Sequence, residues 1–195
     1  MVVSSILLLL YFFEWSIIDV VTPFLFLPLQ GLIWLVFLAV VIGSIVHWIR
    51  NRQVRQSWLP LLICAVVVFL VFTVPFTKIW LQIDFTLRRN ARERIVEEIS
   101  QGKLQAGSPY ADRTRSVRLP DDAPHVAYGG NEVFEQVVDG KIFVFFFTYR
   151  GIMSSYAGFL FVPTGADPSA FSDLNETSRT YIERYSEHWY YASHH

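Results

Sequence analysis

The sequence predicts an α+β membrane protein. Transmembrane helices occupy residues 1–80, a juxtamembrane amphipathic helix covers 81–102, and a small antiparallel-sheet domain with flanking helices fills 103–195. Three observations predict this. Charge is split: 27 of the 33 charged residues lie in 81–195, and residues 1–80 hold only Glu14, Asp19, Arg50, Arg52, Arg55 and Lys78. Apolar runs over 29–49 and 58–80 are long enough to cross a bilayer. Beyond residue 113 the apolar pattern turns to the alternation of strands, with a hairpin signal at Asp139-Gly140.

Composition narrows the class further. The chain is 53% hydrophobic and 17% charged, against about a quarter charged in soluble domains. An aromatic content of 16% excludes a disordered chain. A net charge of −1 gives no electrostatic footprint for nucleic acid. Cys64 is the single cysteine, so neither an internal disulfide nor a Cys-rich metal site is available.

Residues 2–21 have the length of a span, but Glu14 and Asp19 sit in their second half. Neither acid falls at the centre, where the cost is at least ~2.5–3.5 kcal/mol. We read a third span here, with Pro23 and Pro28 shaping the following turn; a helix lying flat in the interface is the competing reading. A cleaved signal peptide lacks its basic n-region and cleavage site. Leu29–Ile49 is 21 residues, roughly 32 Å as a helix. Trp58–Trp80 is 23 residues, roughly 34 Å. Trp48, Trp58 and Trp80 stand at helix ends as interface anchors, and Lys78 lies within snorkelling reach of the headgroups. Pro75 removes a hydrogen bond to Val71 inside the second run, so a kink is expected there, as a tolerated proline rather than a hinge.

Arg50, Arg52 and Arg55 make the hairpin between the spans purely basic, which places it in the cytoplasm and the C-terminal domain outside. Arg88, Arg89, Arg92 and Arg94 argue the other way. They begin about 12 Å beyond Trp80 along a helix and are mixed with Asp84, Glu93, Glu97 and Glu98, so we follow the hairpin. The layout is similar to that of small bacterial inner-membrane proteins and implies a multi-pass plasma-membrane location.

Residues 84–101 are helical on the spacing of Leu87, Ala91, Ile95 and Ile99, with Arg89–Glu93 and Arg94–Glu98 as i, i+4 pairs and Gly102 as the C-cap. This helix can run on from the second span as a stalk. Residues 105–114 have loop chemistry. Strands are expected over 116–119, 132–138, 141–149 and 156–162, then a short helix over 177–185. His188-Trp189-Tyr190-Tyr191 forms an edge strand or a cover on a core of Phe143, Phe145, Phe147, Phe159 and Phe161.

No catalytic constellation is assembled in the sequence. Asp121, Asp122 and His125 suggest a carboxylate–histidine site, but Pro120 and Pro124 frame them as a turn. His188 reads as packing, and His194-His195 as a frayed end or tag remnant. Ser154 and Ser155 lack a G-x-S-x-G elbow, and Gly129-Gly130 lacks a phosphate-loop fingerprint. Asn175-Glu176-Thr177 matches a glycosylation sequon, which matters only in a eukaryotic secretory setting. No metal or cofactor is called for.

Four arginines, Arg88, Arg89, Arg92 and Arg94, either hold anionic headgroups or form a solvated stalk face. Tyr149, Arg150, Trp189 and Tyr190 are candidates for partner binding, set against core packing. The expected function is a non-enzymatic, membrane-anchored binding module whose partners are the bilayer and another membrane or envelope protein. The alternative is a small oligomeric transport or channel subunit using Pro75, Gln30, His47 and Glu14 between helices.

Overall fold

A computed structural model describes residues 2–21, 23–54, 56–104, 107, 114–151, 155–171 and 180–194. The Asn175 sequon, Ser154, His195, most of the expected 105–114 loop and the side chain of Asp19 lie outside the described residues. The chain divides into two compact units, Met1–Phe85 and Thr86–His195. Among the described residues the elements are five α-helices, a short 3-10 helix at Pro168–Ala170 and a six-stranded antiparallel sheet, an α+β architecture.

The helical unit holds α1 (Val2–Phe12), α2 (Glu14–Val21), α3 (Pro23–Arg50), α4 (Leu59–Thr73) and the start of α5 (Phe76–Ser100). Among the described residues one helix, α3 from Phe24 to Arg50, is long and apolar enough by itself to cross a membrane. Two or three such spans are expected from the sequence, and both extra runs are broken. Residues 2–21 form two short helices that meet at Phe13. The run 58–80 ends α4 at Thr73 and resumes as α5 at Phe76, and the two qualify only as one span bent by 63°. Proline explains the second break. The residue before a proline is pushed out of the helical region, and Val74 is extended at φ −85°, ψ 121°. The Thr73 hydroxyl turns back to the Phe69 carbonyl at 2.6 Å.

Leu7, Phe37, Cys64 and Val67 form this unit's core, packing α1, α3 and α4 together. The Tyr11 hydroxyl ties α1 to α3, accepting from Trp34 Nε1 at 3.1 Å and Gln30 Nε2 at 3.4 Å. The outside of the unit is apolar. Among the described residues, every exposed large hydrophobic side chain except Leu87, Val137 and Tyr181 belongs to Met1–Phe85. The interface anchors differ from expectation at one point: Trp48 and Trp58 are exposed, but Trp80 is buried.

The second unit begins on the C-terminal part of α5. That helix ends in a Schellman cap, with Lys103 N donating to the Glu98 carbonyl and Gly102 N to that of Ile99, both at 2.9 Å. The sheet comprises β1 (Thr114–Arg118), β2 (Glu132–Val138), β3 (Lys141–Arg150), β4 (Tyr156–Phe161), β5 (Thr180–Arg184) and β6 (Trp189–His194), in spatial order β1-β2-β3-β4-β6-β5. The β2–β3 turn takes positive φ at Asp139 (50°) and Gly140 (74°), as a two-residue hairpin with right-handed strand twist requires.

Two predictions change at the C-terminal end. Residues 180–184 are a strand, not the expected helix: Thr180, Tyr181 and Ile182 suit an extended backbone, and pairing with β6 satisfies it. β6 is an inner strand between β4 and β5 rather than an edge. One sheet face carries Phe134, Phe143, Phe145, Phe147 and Leu160, capped by Phe171. The other carries Phe159 and Tyr191, and α5 crosses it, with the Arg92 guanidinium 4.8 Å from the Phe159 ring centre. Ile95, Val96 and Ile99 are buried on the same helix.

Candidate functional site

Cross-strand neighbours in an antiparallel sheet share a face, so register decides which side chains gather. Arg150 pairs with Tyr156, Tyr156 with His194, and His194 with Thr180. These four form one transverse row across β3, β4, β6 and β5, at the end of the Phe-rich face opposite the Asp139-Gly140 turn. The Tyr156 and His194 rings stack at 5.6 Å and 19°. Thr180 Oγ1 lies 3.4 Å from His194 Nδ1.

Arg150 is set on an aromatic floor. Its guanidinium carbon lies 3.9 Å from the Phe147 ring centre and 5.5 Å from that of Phe134. Nη1 donates to Glu132 Oε2 at 2.9 Å, with both side chains about 30% exposed (31% and 30%). Ser116 on β1 donates to the other Glu132 oxygen. Gly129, at φ +76°, lets the backbone come down on the arginine stem, since a Cβ there would lie 2.7 Å from Arg150 Cδ. A partly exposed ion pair of this kind contributes about 0–1 kcal/mol. Its value is positional, because it holds a cation and an acceptor in fixed places at the rim.

Tyr149 follows a β-bulge after Phe147 and pairs with Ala157, so it faces the opposite side from Arg150. The β3–β4 turn closes through Gly151 N donating to the Ser155 carbonyl at 2.8 Å, with the Tyr149 hydroxyl beside Gly151. Also on that opposite face, burial of Glu135 pushes its carboxyl above the usual range, with Arg115 pulling the other way.

Of the expected partner-binding set, Tyr149 and Arg150 share the rim at the end of β3, one on each face of the sheet. Trp189 does not. It is 1% exposed, between Phe146 and Phe161, and is a core residue. Tyr190 is half-buried against the Phe-rich core. His194 is a β6 residue in the row, not a frayed end. The arginine cluster on α5 divides. Arg89 is exposed and paired with Glu93 at 2.8 Å. Arg94 is exposed and, with Glu98 and Asp122, lines a cleft of about 200 Å³. Arg88 donates to the Tyr128 hydroxyl and lies over that ring. Arg92 is fully buried and donates from Nε to the Val126 carbonyl at 3.1 Å. Enclosed in this way it cannot reach a headgroup.

Asp121 and Asp122 are exposed on a turn closed by Ala123 N and the Pro120 carbonyl at 3.0 Å, and His125 meets Tyr128 edge-on. Among the described residues no group of three or more His, Cys, Asp or Glu could hold a metal ion. Sequence reasoning missed Ser116, Glu132, Tyr156 and Thr180. The signal for Glu132 was present, since the Asp139-Gly140 turn sets a register that puts it beside the end of β3; the β4–β6 register had no such marker. No protein-family model matches the chain, and no curated protein or solved structure matches it either.

Proposed function

We propose that the chain is a membrane-anchored, non-enzymatic binding module whose α+β domain stands outside the cytoplasm and engages another membrane or envelope protein through its Tyr149–Arg150 rim. One observation carries the reading: exposed apolar side chains are concentrated on Met1–Phe85, while the other unit presents an ordered row of Arg, Tyr and His. Exposed apolar surface on that scale calls for lipid, and Arg and Tyr are the residues that dominate binding hot spots. In this reading α3 and the bent α4–α5 pair are spans, with the Arg50–Arg52 side of the hairpin in the cytoplasm. α1 and α2 complete the bundle.

Thiol labelling tests the orientation. Thr164→Cys and Asp121→Cys, each in a Cys64→Ser background, are to react with an impermeant reagent in intact cells; labelling only after lysis refutes the outside placement. A photocross-linker at residue 149 is to capture a discrete membrane protein, with capture lost in Arg150→Glu. The same cross-linker at Asp139, at the other end of β3, is the control. Equal capture from both positions, or turnover of a substrate abolished by changes at Asp122 or His125, refutes the binding reading.

The bend at Pro75 favours a second reading, a small oligomeric transport or channel subunit, because a broken helix exposes backbone that can line a path. A monomeric protein without conductance or uptake after reconstitution refutes it.

A further inference from the structure

In the helical unit, α1, α3 and α4 line a half-open cavity of about 340 Å³, within the range of small-ligand pockets. Its walls are mostly apolar, with Val40 and Ile63 among them, and none of its lining residues is charged. Three polar side chains reach it: Ser4, Ser44 and Cys64. The Ser44 hydroxyl is committed, donating to the Val40 carbonyl at 2.7 Å. The Ser4 hydroxyl is not. Ser4 is 3% exposed and its Oγ has no hydrogen-bond partner. A buried hydroxyl left without a partner is destabilising, and native structures almost always satisfy it with protein, water or ligand.

We propose that this cavity binds a neutral, hydrocarbon-rich ligand whose single carbonyl oxygen accepts the Ser4 hydroxyl proton. Uncharged walls reject an ionised headgroup, since an unpaired charge there would be desolvated without compensation. Apolar walls take the hydrocarbon. Two sources share this chemistry, the ester end of a bilayer acyl chain and a free neutral amphiphile.

Cys64, itself in the wall, is the reporter. The full chain is reconstituted in nanodiscs of diester or of diether phospholipid, and Cys64 alkylation by a small thiol reagent is timed with and without 2-dodecanone, dodecane being the control without an acceptor. Protection in diester but not diether discs identifies the lipid ester as ligand. Equal reactivity in both discs, with protection by the ketone, identifies a free amphiphile. In either case Ser4→Ala weakens protection about five-fold, the worth of one hydrogen bond, and leaves dodecane unchanged. Should Ser4→Ala misfold, the ketone–alkane comparison in the unaltered chain still decides. The proposal is overturned by Cys64 reactivity indifferent to ketone and lipid, or by ketone and alkane protecting equally. A chain that does not enter the discs fails the membrane reading instead.

Discussion

Asn131 is the residue on which the clasp between α5 and the sheet is predicted to depend. Its Oδ1 accepts from Val126 N at 3.1 Å and Ala127 N at 3.3 Å, and its Nδ2 donates to the Pro124 carbonyl at 3.3 Å. The loop it pins carries the Val126 carbonyl that holds Arg92 and the Tyr128 N–H that donates to the Phe147 carbonyl. Val126 and Ala127 are fully buried, and Asn131 itself sits at φ 50°. Asn131→Ala orphans two buried N–H groups, at about 1–3 kcal/mol each. It also puts a Cβ without a compensating polar group in the left-handed region, at about 1 kcal/mol. The total is about 3–7 kcal/mol, a large share of the ~5–15 kcal/mol of a folded domain. Asn131→Gly relieves the backbone part and is milder by about 1 kcal/mol. Asn131→Asp keeps both Oδ1 bonds and exchanges the donation to Pro124 for a carboxylate oxygen facing that carbonyl, so it costs less than alanine, which orphans both N–H groups. Urea unfolding of the full chain in mild detergent gives the totals, and hydrogen exchange at the Tyr128 amide gives local opening. An alanine variant within about 1 kcal/mol of the parent, or a glycine variant as damaged as alanine, refutes the reasoning.

Three other outcomes are expected. Pro75→Ala restores the bond to Val71 and straightens the 63° bend, lengthening the axial separation of spin labels at residues 62 and 83 from about 27 Å to about 32 Å; an unchanged distance counts against proline as the cause. Burial raises the Tyr191 phenol well above its ordinary range, with Tyr185 adding to the effect. Its neutral form is therefore favoured by folding, and stability is full below about pH 10 and lost as pH rises beyond it. Tyr191→Phe is to flatten that alkaline limb, and an unaltered limb argues against it. Arg92→Ala removes a fully enclosed side chain and lowers stability by about 3 kcal/mol or more in denaturant titration, with Arg92→Met recovering part through its stem. A loss below about 1 kcal/mol, as on an exposed helix face, contradicts the burial.

Local chemistry made much of the sheet legible. The Asp139-Gly140 turn and the alternation around it define β2 and β3 within a residue, and Gly102 marks the end of α5. Reading failed where long-range pairing or docking decides. Residues 180–184 follow a polar stretch, and the turn after them, Tyr185-Ser186-Glu187-His188, carries no Gly, Asn or Pro to mark it in the sequence, so only pairing with β6 makes them a strand. Arg89 has an acidic i+4 partner in Glu93, whereas Arg92 has Ile95 and Val96 at i+3 and i+4; that places Arg92 beside the apolar stripe, but only the Val126 loop closes over its guanidinium. Counting apolar residues across Phe13 and Pro75 gave runs long enough to span, where the structure has helices broken at both points. The rim behaves likewise: Tyr149 and Arg150 stand out as residue types, whereas Tyr156, His194 and Thr180 join them only through register.

The strand order has a kinetic corollary. β1 to β4 pair each with the next in sequence, and β5 and β6 form a second short hairpin. Among the described strand pairings only the β4–β6 seam joins strands that are not successive in sequence, and late, non-local closure is the slow part of such topologies. The Tyr156–His194 stack lies across that seam. A ligand of the rim therefore meets a surface that does not exist in the half-assembled sheet, and its binding is a clock for the last folding step.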